Sequence, residues 1–503
     1  YVLLGTTAMM YRPYGFNQFY HAYQQRNVLP CLLTPHCEID GDFCKLNTLR
    51  RTDCPIGLEW KKAAKWTCAI IKLTIGNLDM QVVPLKSQEW IQHFNGAAKK
   101  QRARDGIEQR NQGALRKETS IFLKGDEVLY GRDGVLKPRT VKALHPTVQS
   151  TCYKEVAEAM DRFKIFFNEG VVHTVRSWSV TFSVGSGKTS SQLDKWLKKS
   201  FDWISISKKR AAVIVAGDDF FAIIHDKNGI RFFENDFSKY DRTQGVHAQD
   251  AERQILLLLG MSEYVAFTLF STANLQPRYE SKRLDFHQIM KMPPQRATGA
   301  PDTTIGNTIN NIASVIYSLM ISNDFDHLAR DQADLGLEAK LQIHEELSHA
   351  TFLKGWWMPS GHKYHWLPLP SQTIKMGKIL TLPTLIFKHL PEDSAWRSAA
   401  KSMGCSYQNV PHNYPLFGSL LKRYAQLEGE TKDLLEYQPN DGHKIVVDKQ
   451  VQIDEYIARM YVAQRYNLTY CEIVEMQEEL SRMPFPGLAV HPGWARVSTR
   501  DYG

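Results

Sequence analysis

The chain has 503 residues but no run of eighteen apolar ones, so a membrane-spanning helix is not expected. No signal-peptide pattern is present, and the first residue is Tyr1 rather than Met, as in a processed or trimmed product. Internal repeats and low-complexity tracts are also missing, which excludes repeat architectures. Of eight cysteines, five (Cys31, Cys37, Cys44, Cys54 and Cys68) fall near the start, yet none forms a CxxC pair. Zinc knuckles need such close pairs, so reduced thiols of a cytosolic protein are the better reading. The stretch VGSGKTSS evokes a phosphate-cradling loop, but Phe182 stands where that pattern requires its first glycine. A surface loop is expected there instead.

The excess of positive charge is modest, a net +9, but it is concentrated. The segment Lys99 to Lys117, KKQRARDGIEQRNQGALRK, carries seven basic and two acidic side chains. Such a segment is either a solvated helix face or a contact for a polyanion. Length alone allows two to four domains. Apolar periodicity predicts an amphipathic helix over 247–260 and a longer, buried one over 302–321, with Asp302 as N-cap. A hairpin is expected around Pro359-Ser360-Gly361, and helical patterns dominate from about residue 390.

The most informative stretch runs from Val213 to Thr243. Two apolar runs, AAVIVA (211–216) and FFAIIH (220–225), flank Gly217-Asp218-Asp219, which predicts a hairpin with carboxylates at its tip. The sequence DKNG (226–229) then signals a second turn before IRFFEND (230–236). A two-residue turn at Lys227-Asn228 sets Asp219 opposite Asp236, so the doublet and Asp236 converge at one edge of a three-stranded meander. Asp is common in turns, and the doublet alone could be no more than that. Registered opposite a third carboxylate, it becomes a candidate cation site, because clustered carboxylates repel unless a cation neutralises them. All-oxygen ligands suit two Mg²⁺ or Mn²⁺ ions.

These residues resemble viral RNA-dependent RNA polymerases. VAGDDF resembles the family's motif C, DFSKYD its motif A with Asp236 and Asp241, and RATGAPDTTIGNTINN its motif B with Thr298, Gly299, Thr303 and Asn307. Threonine replaces the usual serine at 298. Motif C precedes motif A, an order that resembles the permuted polymerases of permutotetraviruses and birnaviruses. Birnaviruses carry Ala-Asp-Asn in place of GDD, so the intact GDD points to the permutotetravirus type. FLKGDEV and GVLKPRTV resemble motif F, FNGAAKKQRARDG the motif G region, LGLEAKLQ motif D and ATFLKGWW motif E.

The resemblance implies an α+β, right-hand polymerase of fingers, palm and thumb, with a ferredoxin-like palm carrying a permuted catalytic motif. Expected boundaries are an N-terminal extension (1–75), fingers (76–210), palm (211–244), a fingers insertion (245–295), palm (296–385), and thumb with the C-terminal region (386–503). The activity implied is RNA-templated addition of ribonucleotides to an RNA 3′ end. Asp218 and Asp236 would be the principal ligands of two Mg²⁺ or Mn²⁺ ions. Asp219 would be a secondary ligand or contact the primer end, and Lys340 would give a proton to pyrophosphate. Lys124, Lys137 and Arg139 would meet the incoming triphosphate, while Asp241, Thr298, Gly299, Thr303 and Asn307 would bind the nucleotide and its ribose. Lys99, Lys100, Arg102, Arg104 and Lys354 would contact RNA. Implied partners are template, nascent strand, ribonucleoside triphosphates and capsid or other viral proteins. The implied setting is the host cytoplasm, with packaging in the virion as an option. A reverse transcriptase on the same palm, and a non-catalytic RNA-binding replication protein, are the competing readings.

Overall fold

Alternation of small and large apolar residues builds a central sheet. Its strands are β1 (Val172–Val175), β2 (Trp178–Val184), β3 (Arg210–Ala216), β4 (Asp219–Asp226), β5 (Gly229–Asn235) and β6 (Gln342–His344). In space they run β6-β5-β4-β3-β2-β1. The three expected strands are therefore the middle of a six-stranded sheet that starts well before residue 211. The computed structural model describes residues 55–75, 86–92, 153–238, 240–271, 295–296, 302–376, 386–432 and 447–502, plus short pieces at 2–4, 39–40, 43–44, 100–101, 103–105, 107–108, 118–123, 128–130, 136–138, 141–144, 276–281 and 286–289.

The chain divides into two interleaved units, one of residues 11–186 and 204–343, the other of 1–10, 187–203 and 344–503. The interleaving follows from topology. β2 and β3 are parallel neighbours, so the chain between them must cross over. That crossover carries the helix Ser190–Ile204, which belongs to the second unit.

In the first unit, β3, β4 and β5 form the expected meander. The ladder pairs Ala216 with Asp219, Asp226 with Gly229 and Phe220 with Asn235, the register read from the turn. Asp226 Oδ1 accepts the backbone N–H of Asn228 at 2.7 Å and stabilises that turn. One face of these strands, with Ala211, Val213, Val215, Phe220, Ala222, Ile224 and Phe233, enters the main core. The helices facing that core include α1 (Pro55–Ile75), α2 (Tyr153–Phe166), α3 (Val246–Leu258), α4 (Thr303–Ser322) and α5 (Leu328–Asp334), together with the helix Glu263–Ser271. α4 contributes Ile305, Ile309, Ile312, Ile316 and Leu319, and α2 contributes Val156, Ala159 and Phe163. Each such side chain taken from water contributes about 1.5–3 kcal/mol. α1 is no appendage. Its Trp60, Ala63 and Ala64 pack with Ala248 and Ala251 of α3, and Trp60 Nε1 donates to the Leu335 carbonyl at 2.8 Å.

A second sheet in this unit orders its strands Phe286–Ile289, Gln276–Ser281, Glu118–Leu123 and Val141–Leu144. It joins pieces of the two segments assigned to the fingers, 76–210 and 245–295.

The second unit is mainly helical, as expected after residue 390, with helices at Glu392–Ser406, Phe417–Ala425, Glu455–Tyr466, Tyr470–Arg482 and Gly493–Tyr502. Its hairpin pairs β7 (Gly355–Ser360) with β8 (Lys363–Pro368), turning at Gly361. Asp194 accepts from His365 Nδ1 at 2.9 Å and from the Trp366 N–H at 2.7 Å. Trp356 and Trp357 are buried, and Trp356 Nε1 donates to Tyr414 Oη at 2.8 Å. The cradle suggested by GKTSS is filled from within. Thr189 Oγ1, Ser190 Oγ and the Ser191 N–H all donate to the Asp448 carboxylate, at 2.7, 2.9 and 3.0 Å. Burial opposes that charge, but these bonds outweigh it and hold Asp448 well below the usual carboxylate range.

A methyl group at Gly355 would lie 2.1 Å from the Trp366 ring and 2.7 Å from the Leu367 carbonyl. Gly355→Ala should therefore cost about 2–3 kcal/mol, read as a lower thermal midpoint of the full chain. An unchanged midpoint would mean that the hairpin yields freely.

Candidate active site

The acidic turn depends on its glycine. β3 and β4 are joined by the two residues Gly217 and Asp218, and Gly217 has φ +67° while Asp218 does not take a positive φ. A hairpin loop with only its first residue left-handed is the II′ pattern, where glycine carries least strain. Gly217 is buried and Asp218 and Asp219 are half-buried. Phe220 and Asn235 form the last ladder pair and lie with the core face. One step further on, Asp219 pairs with Ala216 and Asp236 lies just past the end of β5.

α4 grips this turn. The Gly217 N–H donates to Thr308 Oγ1 at 3.0 Å, and Thr308 Oγ1 itself donates to the Thr304 carbonyl at 2.8 Å. Asn311 Nδ2 donates to the carbonyls of Gly217 and Asp218, at 3.2 and 3.4 Å. Both side chains are fully buried, where unpaired polar groups are costly. Neither was singled out from sequence, although the polar run NTINN inside an otherwise apolar helix was a visible signal.

Asp236 is exposed, and its carbonyl accepts the Lys340 N–H at 2.9 Å. Phe237 and Ala339 form an antiparallel bridge, and the Ser238 N–H donates to the Glu338 carbonyl. The main chain thus sets Lys340, whose side chain is exposed, beside the carboxylate edge.

Asn307 Nδ2 donates to Asp241 Oδ1 at 2.9 Å, which brings motif A and motif B together. Tyr240 Oη donates to the Asn307 carbonyl at 3.2 Å. Burial pushes the Tyr240 phenol well above its ordinary range, and the charge of Asp218 adds to this. Asn307 is 5% exposed, and its Oδ1 has no hydrogen-bond partner among the described residues. Asn310 Nδ2 donates to Gln244 Oε1.

Asp302 takes the N-cap position of α4, but its side chain does not cap. Arg296 claims it instead, with Nη1 donating to Asp302 Oδ2 at 2.7 Å and Nη2 donating to Glu252 Oε2. A buried guanidinium binds carboxylate more strongly than backbone N–H groups do. Burial disfavours charge on Arg296, but Glu252 and Asp302 outweigh it and keep the guanidinium protonated. Burial pushes the Glu252 carboxyl up to about 7 against the pull of Arg296.

The remaining expected residues are distributed less completely. Thr303 opens α4, Lys100 is half-buried and Arg104 is exposed. Lys354 is exposed in the second unit, in a tight turn where Leu353 and Lys354 both have positive φ. Lys99, Arg102, Lys124, Arg139, Thr298 and Gly299 lie outside the described residues, as does the side chain of Lys137. Among the described residues, no group of three or more His, Cys, Asp or Glu side chains is arranged to hold a metal ion. The donor set does fit one in kind, since Asp218, Asp219 and Asp236 offer only hard oxygens at one sheet edge.

Residues 206–329 match a family model described as RNA dependent RNA polymerase. That span holds the acidic turn, Asp236, Asp241 and α4. No curated protein matches the chain. Among solved structures 115 chains match. One is the X-ray structure of the birnavirus VP1-VP3 complex, with 10% identity, a TM-score of 0.42 and coverage of 76% of this chain and 61% of that one. The chain therefore spans less than two thirds of the length of that neighbour. The matched span lies within the first unit. Within it the doublet precedes the strand that leads to Asp236. No described helix is long and apolar enough to cross a membrane.

Asn311→Leu should leave the turn carbonyls unpaired and cost about 1–3 kcal/mol in denaturant unfolding. A stability equal to wild type would show that the turn holds itself. For Glu252, the folded carboxyl titrates at about 7, above its ordinary value. Its contribution is therefore full below the ordinary carboxylate range and is lost as pH rises through about 7. Wild-type stability measured against Glu252→Gln should fall across that window, and a flat difference would contradict the assignment.

Proposed function

We propose that the protein is an RNA-templated RNA polymerase of the permutotetravirus type, similar to the Thosea asigna virus polymerase. It adds ribonucleotides to an RNA 3′ end for viral genome replication and transcription. The observation that carries the reading is the Asn307–Asp241 pair beside the carboxylate edge. Asn307 spends its amide N–H on Asp241 and keeps a buried Oδ1 without a partner among the described residues. A ribose 2′-hydroxyl donating there would satisfy that oxygen, and a deoxyribose would leave it bare.

Asp218 and Asp236 would hold two Mg²⁺ or Mn²⁺ ions, with Asp219 as secondary ligand. Bound there, the ions lower the pKa of the 3′-hydroxyl and neutralise charge on the leaving pyrophosphate. The 3′ oxygen, its proton lost to solvent, forms its bond to the α-phosphorus as the bond from that phosphorus to the bridging oxygen breaks and pyrophosphate leaves. Lys340, held next to Asp236 by its own N–H, gives a proton to the departing pyrophosphate. Asp241, Thr303 and Asn307 orient the ribose. Lys124, Lys137 and Arg139 bind the triphosphate, Thr298 and Gly299 shape the nucleotide pocket, and Lys99, Lys100, Arg102, Arg104 and Lys354 bind RNA. Capsid or other viral proteins are further partners in this reading, which places the enzyme in the host cytoplasm or virion.

The test is incorporation of labelled UTP on poly(A) with Mg²⁺ or Mn²⁺. Asp218→Asn and Asp236→Ala should each lower the rate by about 10³-fold or more with the fold intact. Activity retained in Asp236→Ala would leave a non-catalytic RNA-binding protein. A preference for deoxynucleotides would favour a reverse transcriptase. Asn307→Asp should weaken the preference for ribonucleotides, since the amide donor to Asp241 is replaced by a second carboxylate.

A further inference from the structure

Three elements meet at one buried guanidinium. The Arg296 side chain is 1% exposed, with Glu252 from α3 on one nitrogen and Asp302 from the start of α4 on the other. Its own backbone N–H donates to the carbonyl of Asp241 at 3.2 Å. The side chain of that same Asp241 accepts from Asn307. Next to Asn307 stands Gly306, where a Cβ would lie 2.4 Å from both Arg296 Nη2 and Glu252 Oε1. α4 thus leaves out a side chain at the one position where the clamp passes closest.

A bare buried ion cluster is weak evidence for stability, because desolvating three charges offsets most of their attraction. Its geometric effect is the stronger consequence. A planar guanidinium held by two carboxylates has little freedom, and it fixes the main chain of its own residue. That main chain in turn fixes Asp241. We infer that Arg296 is a positioning residue for sugar selection, holding Asp241 in register with Asn307 through the Glu252–Arg296–Asp302 clamp. The inference rests on the polymerase reading above. Arg296 touches neither substrate nor reacting atoms in this account. It acts by keeping the Asn307 amide committed to Asp241, so that Oδ1 faces the sugar.

The experiment compares kcat/KM for ribo- and deoxyribonucleotides in the full chain, for wild type, Arg296→Lys and Glu252→Gln, with circular dichroism to check folding. Lysine has a single nitrogen and cannot reproduce the planar, two-nitrogen spacing between the carboxylates, so Arg296→Lys should lower the ribo/deoxy ratio by about tenfold. Glu252→Gln preserves volume and should lower the ratio in the same direction, which covers the case in which Arg296→Lys does not fold. A merely structural role would reduce both substrates alike and leave the ratio unchanged. An unchanged ratio in a folded variant overturns the inference while the polymerase reading stands. A wild-type chain that polymerises nothing overturns the polymerase reading itself.

Discussion

Everything at the carboxylate edge hangs on the polar stripe of α4. A helix buried along most of its length must satisfy each polar side chain it carries, since water is not there to do so. Thr308 and the Asn311 amide N–H meet that demand with the backbone of Gly217 and Asp218, the Asn307 amide N–H with Asp241 and that of Asn310 with Gln244, while the Oδ1 atoms of the three asparagines have no partner among the described residues. The apolar side chains on the same helix hold it against the sheet. Packing sets the distance and hydrogen bonds set the register. Together they bring two segments far apart in sequence to one place.

That arrangement also bears on how the strands are connected. The acidic turn and the strand that precedes Asp236 are direct antiparallel neighbours through β4 and β5. Neighbouring antiparallel strands can be joined by a two-residue turn, and Lys227-Asn228 supplies it. Joining such neighbours in the other order would change only which strand ends are connected. It leaves the strands adjacent and the carboxylates at the same edge.

Local chemistry made much of this readable. Apolar alternation and two turn signals were enough for β3 to β5 and their pairing, and a 3.6-residue period was enough for α3 and α4. Other features were hidden because they depend on distant partners. Asp302 has the residue type and place of an N-cap, but Arg296 competes for its carboxylate and wins. Strands β1 and β2 carry no motif, so their membership of the central sheet was not visible. α1 looked like part of an extension until Trp60 and its neighbours were seen packed on α3. The loop before Ser190 resembled an anion cradle with a broken pattern. Its occupant, Asp448, lies hundreds of residues away.

By itself the sequence determined the turns, the strand register and the identity of the candidate ligands, because these follow from backbone preferences over a few residues. Only the tertiary structure decided what surrounds them: the grip of Asn311 on the acidic turn, the meeting of Asn307 with Asp241, and the burial of Arg296 between two carboxylates. The physical reason is burial. Once water is excluded, each polar group must be matched to one specific partner, and that match is chosen by the packing of whole helices on a sheet and is not encoded in any short stretch of chain.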